Sequence, residues 1–327
     1  MTRRQLSFGL IAAVFAVTLT LIGTEVLFRS IDFPFDESWV PSETKLAQFD
    51  PELGWVYIPE TTAVQEFGDP KRSITMNFDG IGARAHAADR ILDPSLPTVL
   101  LVGGSFIMGH GVPYEESAAG FLAATLTGRF QVINLGVQGY GTDQAFLMLK
   151  RHIGKFNVRA VVYAFFWEHV GRNANDDRRL LYRHARFAGT KPMFALADAD
   201  TLVLKKRAQR YEDLWYSRVW ALLRMAYVES NPPPALELTK RLVLAMKAEV
   251  ESSGAAFIVV DWDQECVDPE YGDLILDSLD LNLIDTEDNP PSGWCSWIVP
   301  GDGHPAAVAH AHVAALIRAK LLDLSIK

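Results

Sequence analysis

The chain lacks a basic stripe. Lysine and arginine number 31 against 40 acidic residues, for a formal net charge of −9. The electropositive face that a nucleic acid requires is therefore missing, and nucleic-acid binding is excluded as a reading. Cysteine is scarce: Cys266 and Cys295 are the only two in 327 residues. They form either one bridge or two free buried thiols. No internal repeat and no low-complexity tract interrupts the chain. Composition is otherwise that of a protein with a full-sized core, at 49% hydrophobic and 22% charged residues. The length suits one large domain with appendages.

The longest charge-free stretch lies at the start. After Arg3 and Arg4, residues Leu6 to Thr24 carry no charge. An apolar helix needs ~20 residues to cross a bilayer core, and this run is that long. It exceeds a usual signal-peptide core and no A-x-A site follows it, although a cleaved signal peptide is the alternative. Glu25 and Arg29 close it at i, i+4 spacing. The arginines ahead of the span place the N-terminus in the cytoplasm and the remainder outside. The expected organisation is an anchor over 1–28, a Pro-, Ser- and acid-rich tether over 29–44, and a domain over 45–327. In an oxidising compartment a Cys266–Cys295 bridge is permitted, with Cα atoms ~4.4–6.8 Å apart, and it would pin the loop that follows.

Residues 98–109, TVLLVGGSFIMG, carry the chemistry. A β-branched run ends in two glycines and a serine, which reads as a buried strand delivering Ser105 on a tight turn. The G-x-S-x-G elbow does not fit, because Ile107 replaces its second glycine. The P-loop does not fit either, because Gly109 is followed by His110 and Gly111 rather than lysine and a hydroxyl residue. Ser105 is a candidate nucleophile if a base reaches it; otherwise it is an incidental residue of a strand-ending turn. The segment DGHP supplies Asp302 and His304, an imidazole with a carboxylate to orient it.

With these residues the chain resembles the SGNH (GDSL-like) hydrolase superfamily, in its membrane-tethered bacterial form. GGSFIMG is similar to the first block, with Gly104 in place of the usual aspartate. NLGVQGYGTDQ, at 134–144, is similar to the second, whose glycine corresponds to Gly139. DGHP is similar to the last. In the third block Glu168-His169 stand where Asn-Asp is usual. The resemblance implies Ser105, His304 and Asp302 as a catalytic triad. It implies an oxyanion hole from the amides of Ser105 and Gly139, and it leaves the side-chain member at Glu168 open. His169, Asn173 and Asn175 are substitutes on the same loop. It also implies an acyl-ester substrate, on carbohydrate or lipid, and no cofactor. Two other readings stay open: an O-acyltransferase on an envelope glycan, working with a membrane acyltransferase partner, and a catalytically weak envelope-binding protein.

Strand patterns at 98–103, 131–135, 158–166 and 256–261 alternate with helical patterns at 115–127, 142–153 and 236–252. That alternation predicts a three-layer, flavodoxin-like parallel sheet with helices on both faces. Residues 50–85 read as short strands and turns leading into it. In such sheets ligands bind at the carboxyl ends of the strands, where Ser105, Gly139, the 167–175 loop and Cys266 fall. Residues 175–235 read as an insertion: a charged helix, a hairpin around Asp198–Asp200, and an aromatic amphipathic helix before NPPP. The insertion is either a wall of the site or peripheral. The last helix, 306–323, is expected to point Val308, Val313, Leu316, Ile317 and Leu321 at the core. Trp294 and Trp297 either stack on substrate or fill local core. His110 either lines the cleft or lies on the surface, and His310 and His312 face different sides of their helix.

Overall fold

The computed structural model describes residues 3–31, 33–34, 46–180, 189–198, 201–211, 217–230, 235–264, 266 and 271–326. The chain opens with α1, Arg3–Ser30, whose side chains are exposed along nearly its whole length and whose apolar stretch is long enough to cross a membrane. Glu25 and Arg29 pair at 2.8 Å, as their spacing predicts. Strands β1 (Ala47–Asp50) and β2 (Gly54–Tyr57) form a separate antiparallel hairpin.

The body is one eight-stranded sheet. Its first three strands, β3 (Thr61–Phe67), β4 (Arg72–Phe78) and β5 (Arg84–Ala85), are antiparallel to their neighbours. The other five are β6 (Pro97–Gly103), β7 (Gln131–Asn134), β8 (Asn157–Phe165), β11 (Ala256–Asp261) and β12 (Asn282–Asp285), paired in parallel. In space they run β12-β11-β8-β6-β7 and continue through β5-β4-β3. Read from β7, the parallel part has the order 2-1-3-4-5 of flavodoxin-like sheets. Two features add to the sequence expectation. The lead-in of short strands, over 61–85, is itself part of the main sheet, which the sequence pattern did not specify. The segment NLID also forms a fifth parallel strand, too short for its pattern to stand out.

Side-chain alternation splits the core into two layers. On one face Leu100, Val102, Val161, Tyr163, Phe257 and Val259 pack with α4 (Thr142–His152) and α7 (Ala235–Ser252). On the other, Val99, Leu101, Val162, Ile258 and Val260 pack with α3 (Ala118–Thr125) and α9 (Ala307–Asp323). Each such residue, fully buried, contributes about 1.5–3 kcal/mol. In α9 the stripe Ala309, Val313, Ile317, Leu321 faces inward, with Leu316 partly buried at its edge, whereas Val308 is 47% exposed. Val308 precedes that stripe by one residue, a ~100° rotation that turns it to solvent.

The insertion is anchored to the body. Strands β9 (Met193–Leu196) and β10 (Leu202–Lys206) form the expected hairpin, and α6, Arg218–Ser230, is the expected aromatic helix. Of the charged helix expected over 175–187, the described residues end at Leu180 with a short helical turn at Arg178–Leu180; the rest lies outside the described residues, as do NPPP and most of the tether. Where a loop is expected at 167–175, a short helix α5, Glu168–Asn173, begins three residues after the end of β8.

Candidate active site

Three backbone stretches converge at the carboxyl edge of the sheet. Strand β6 ends at Gly103, and Ser105 begins the one-turn helix α2, Ser105–Met108. Gly103 has φ +146, a conformation that side chains rarely adopt, and this is where the strand breaks toward the helix. Gly104 is needed for space. A Cβ there would stand 2.9 Å from His169 Nε2, 3.4 Å from Arg172 Nη1 and 3.5 Å from the Tyr140 carbonyl.

The carbonyl end of α2 is held by Arg84, which is fully buried. Its Nη1 donates to the carbonyls of Met108, at 2.8 Å, and Gly109, and its Nη2 to that of Val112. A cation at a helix C-terminus satisfies carbonyls that the short helix leaves open. Burial lowers the Arg84 pKa to about 10, which still leaves it charged at neutral pH. Asn134 adds a donor to Ile107 O at 2.9 Å. Neither residue announces this role in sequence, because both act across the sheet.

Asp302 and His304 sit on a reverse turn ahead of α9. The turn is closed by an Ile298–Pro305 bridge and by Val299 N donating to His304 O at 2.7 Å. It follows the short turn Trp294–Ser296, which Cys295 ties to Cys266 with Cα atoms 5.8 Å apart. The indole of Trp294, itself buried, donates to Asp263 O at 2.6 Å. Trp294 is therefore local core, and Trp297 packs edge-on against it.

The turn brings the predicted partners together. His304 Nε2 lies 3.0 Å from Ser105 Oγ, and His304 Nδ1 lies 2.6 Å from Asp302 Oδ1. Ser105 is 3% exposed, so its hydroxyl meets the imidazole with little competition from water. Burial pushes the Asp302 carboxyl up, but the two histidines facing it outweigh burial and hold it well below the usual carboxylate range. It therefore stays an anion beside the imidazole.

His110 is the second of those histidines. It is buried, its Nε2 is 3.7 Å from Asp302 Oδ2, and its ring lies against that of His304 at 4.2 Å between centroids. Phe67 closes the far side edge-on at 4.6 Å. The His110 backbone N–H donates to Ser105 O at 3.0 Å, so His110 ties the serine turn to the aspartate. Burial, and next the neighbouring His304, lower its pKa to about 4. At neutral pH it is an uncharged brace.

The second loop passes over the serine turn. Val137 N donates to Gly103 O at 3.1 Å. Gly139 has φ +75 and precedes Tyr140, whose carbonyl faces Gly104. Among the described residues, neither the Ser105 nor the Gly139 amide finds a backbone acceptor outside helices and strands. Gly139 O accepts from Arg178 Nη2. Arg178 is fully buried and comes from the insertion. Lys191, also from the insertion, pairs with Asp143 in the first turn of α4, both with no exposed side-chain surface. The insertion thus holds the Gly139 loop from outside.

Glu168 pairs with Arg172 one turn along α5. A carboxylate so paired accepts hydrogen bonds and does not donate them. His169 is 1% exposed. Its Nδ1 is 2.9 Å from Tyr163 Oη, and its Nε2 has no hydrogen-bond partner among the described residues. Burial, then Arg172 and Arg178, hold its pKa well below the ordinary value, so the ring is neutral. Asn173 is committed elsewhere: its amide donates to Thr142 and Thr239 Oγ1 at 3.0 and 2.8 Å. Asn175, the remaining substitute, is buried at 2% exposure.

Neither a family model nor a curated protein matches the sequence. Solved structures do match in fold. The structure named TesA is 13% identical, covers 69% of this chain and 99% of its own, and has a TM-score of 0.43. The esterase EstA from Pseudoalteromonas sp. is 10% identical, with coverage of 70% and 99% and a TM-score of 0.42. Est24, a carbohydrate acetylesterase from Sinorhizobium meliloti, is 12% identical, with coverage of 70% and 99% and a TM-score of 0.39. Over about seven-tenths of its length, the path of this chain is similar to those of these three proteins.

Proposed function

We propose that this chain is a serine ester hydrolase with Ser105 as nucleophile. The observation that carries the reading is the unbroken relay of Ser105 Oγ, His304 Nε2, His304 Nδ1 and Asp302 Oδ1, at 3.0 and 2.6 Å. The hydroxyl donates its proton to Nε2 as Oγ attacks the ester carbonyl carbon. The imidazolium, steadied by Asp302, returns that proton to the leaving alkoxide. Water then attacks the acyl-serine with His304 as base, releasing the acid and free serine. The Ser105 and Gly139 amides are assigned to the oxyanion, where one donor is typically worth ~3–4 kcal/mol. Acyl esters of carbohydrate or lipid are the proposed substrate class.

The proposed setting is extracytoplasmic, with residues 1–28 as anchor, 29–44 as tether and 45–327 as the hydrolase domain. An apolar N-terminal helix long enough to cross a membrane and a disulfide both support it. A reporter fused at Lys327 that is active only in the cytoplasm would overturn this placement. For the chemistry, a fluorophosphonate should label wild-type protein and not Ser105→Ala. Ser105→Ala and His304→Ala should each lose at least ~10³-fold in turnover of p-nitrophenyl esters, with the double variant little worse. Labelling or turnover that survives Ser105→Ala would overturn the reading.

A further inference from the structure

Helix α6 is joined to the end of α1. Glu25 Oε1 accepts the Arg218 N–H at 3.0 Å, and Oε2 accepts Ser217 Oγ–H at 2.9 Å and Val219 N–H at 3.1 Å. These are the open donors at the start of α6, where a carboxylate is favoured by the helix dipole. The level of this junction follows from the sequence. Leu6 to Thr24 is a helical run that rises ~28 Å at 1.5 Å per residue, close to the ~30 Å of a hydrocarbon core. Glu25 is the first charge beyond that run, so α6 starts at the bilayer surface.

Helix α6 has two faces. Ala221 and Met225 are buried, where α6 packs on α1 and on the turn Arg178–Leu180, and Arg224 pairs with Asp176. Trp220, Leu223 and Tyr227, at i, i+3 and i+7, are 62%, 57% and 67% exposed. They make one apolar stripe with a tryptophan and a tyrosine, the residue types that settle at the headgroup level.

We propose that α6 is an interfacial helix, with Trp220, Leu223 and Tyr227 seated in the headgroup–acyl boundary of the membrane that α1 spans. The occupant of the stripe is lipid, because the stripe begins at the residue where the span leaves the hydrocarbon. The proposal rests on reading α1 as a span. It gives the membrane a direct line to the site: α6 holds Asp176, and two residues on, Arg178 holds the carbonyl of Gly139. The bilayer thereby fixes how the serine turn stands above it.

The test uses the full chain in phosphatidylcholine vesicles brominated at shallow acyl carbons. The difference in emission between wild type and Trp220→Phe reports Trp220. That share should fall at least ~2-fold in brominated lipid and be protected from aqueous iodide. Tyr227→Trp in the Trp220→Phe background should restore a quenched signal, which guards against a misfolded single variant. Resistance of the same vesicles to carbonate extraction reads the span separately. Resistant protein with unquenched, iodide-accessible reporters overturns the interfacial helix alone. Reporters shielded from both quenchers place a second copy or another protein on the stripe, and also overturn it. Extractable protein overturns the span and, with it, this proposal.

Discussion

His169 stands where a side chain on Gly104 would have to be. Its Nε2 is 2.9 Å from the Cβ position of Gly104, with Arg172 Nη1 at 3.4 Å. The two departures from the resembled motifs, glycine for aspartate before the serine and Glu-His for Asn-Asp, thus share one space. The imidazole from α5 occupies the volume that a side chain at position 104 would need.

That coupling is measurable. Gly104→Ala should destabilise the protein by about 1–3 kcal/mol through overpacking against the ring. His169→Ala should relieve much of it, with a coupling of about 0.5–3 kcal/mol between the two sites. Thermal unfolding of the two single variants and the double variant closes the cycle. Strict additivity would show that the residues do not compete for the space.

His110 meets Asp302 at Oδ2, the oxygen that His304 Nδ1 does not take, with its ring against that of His304. At 3.7 Å its contact is longer than a full hydrogen bond, so its share is modest. His110→Ala should lower kcat by about tenfold with KM little changed, near the low end for a donor to a charged group. His110→Gln, which retains an N–H donor, should recover most of that loss. If kcat is unchanged in His110→Ala, the ring only fills space.

The Lys191–Asp143 pair fastens the insertion to the helix behind Gly139. Lys191→Met should cost about 3–5 kcal/mol, because it strands a buried carboxylate. Adding Asp143→Leu should restore much of the stability. Urea or thermal unfolding of both variants decides whether the insertion is integral. A near-neutral Lys191→Met would make it peripheral.

Acid should weaken the fold through its buried histidines, an effect that the raised carboxyls of Asp261 and Asp79 partly offset. Burial is the first cause in lowering the pKa of His110 and His152 to about 4 and of His310 to about 3. Between pH 6.5 and 4 the unfolded chain binds these protons and the folded chain does not, so stability falls as pH falls. One histidine moved from 6.5 to 4 contributes about 3 kcal/mol to that loss. The unfolding midpoint should drop between pH 7 and 5, and His152→Gln should flatten the slope by about one proton. A midpoint that is flat over this range would place these rings in contact with water.

The sequence alone determined what depends on near neighbours in the chain. The runs within 98–103 and 158–166 had to be buried strands, because Val99–Val102 and Ala160–Phe166 present consecutive apolar side chains to both faces of a sheet. Ser105 followed from the glycines beside it, and Asp302 and His304 from their two-residue spacing. The long apolar helix at the start followed from an uncharged length. Tertiary structure decided what depends on proximity across the sheet. Arg84 reads as an ordinary strand residue until its guanidinium is found on three carbonyls of the serine turn. His110 reads as a loop histidine until the turn of Asp302 closes over it. Arg178 and Lys191 become part of the Gly139 loop's support only when the insertion folds back on α4. Burial makes the difference. A charge or imidazole removed from water must find its partners wherever packing brings them, and sequence separation carries no record of that distance.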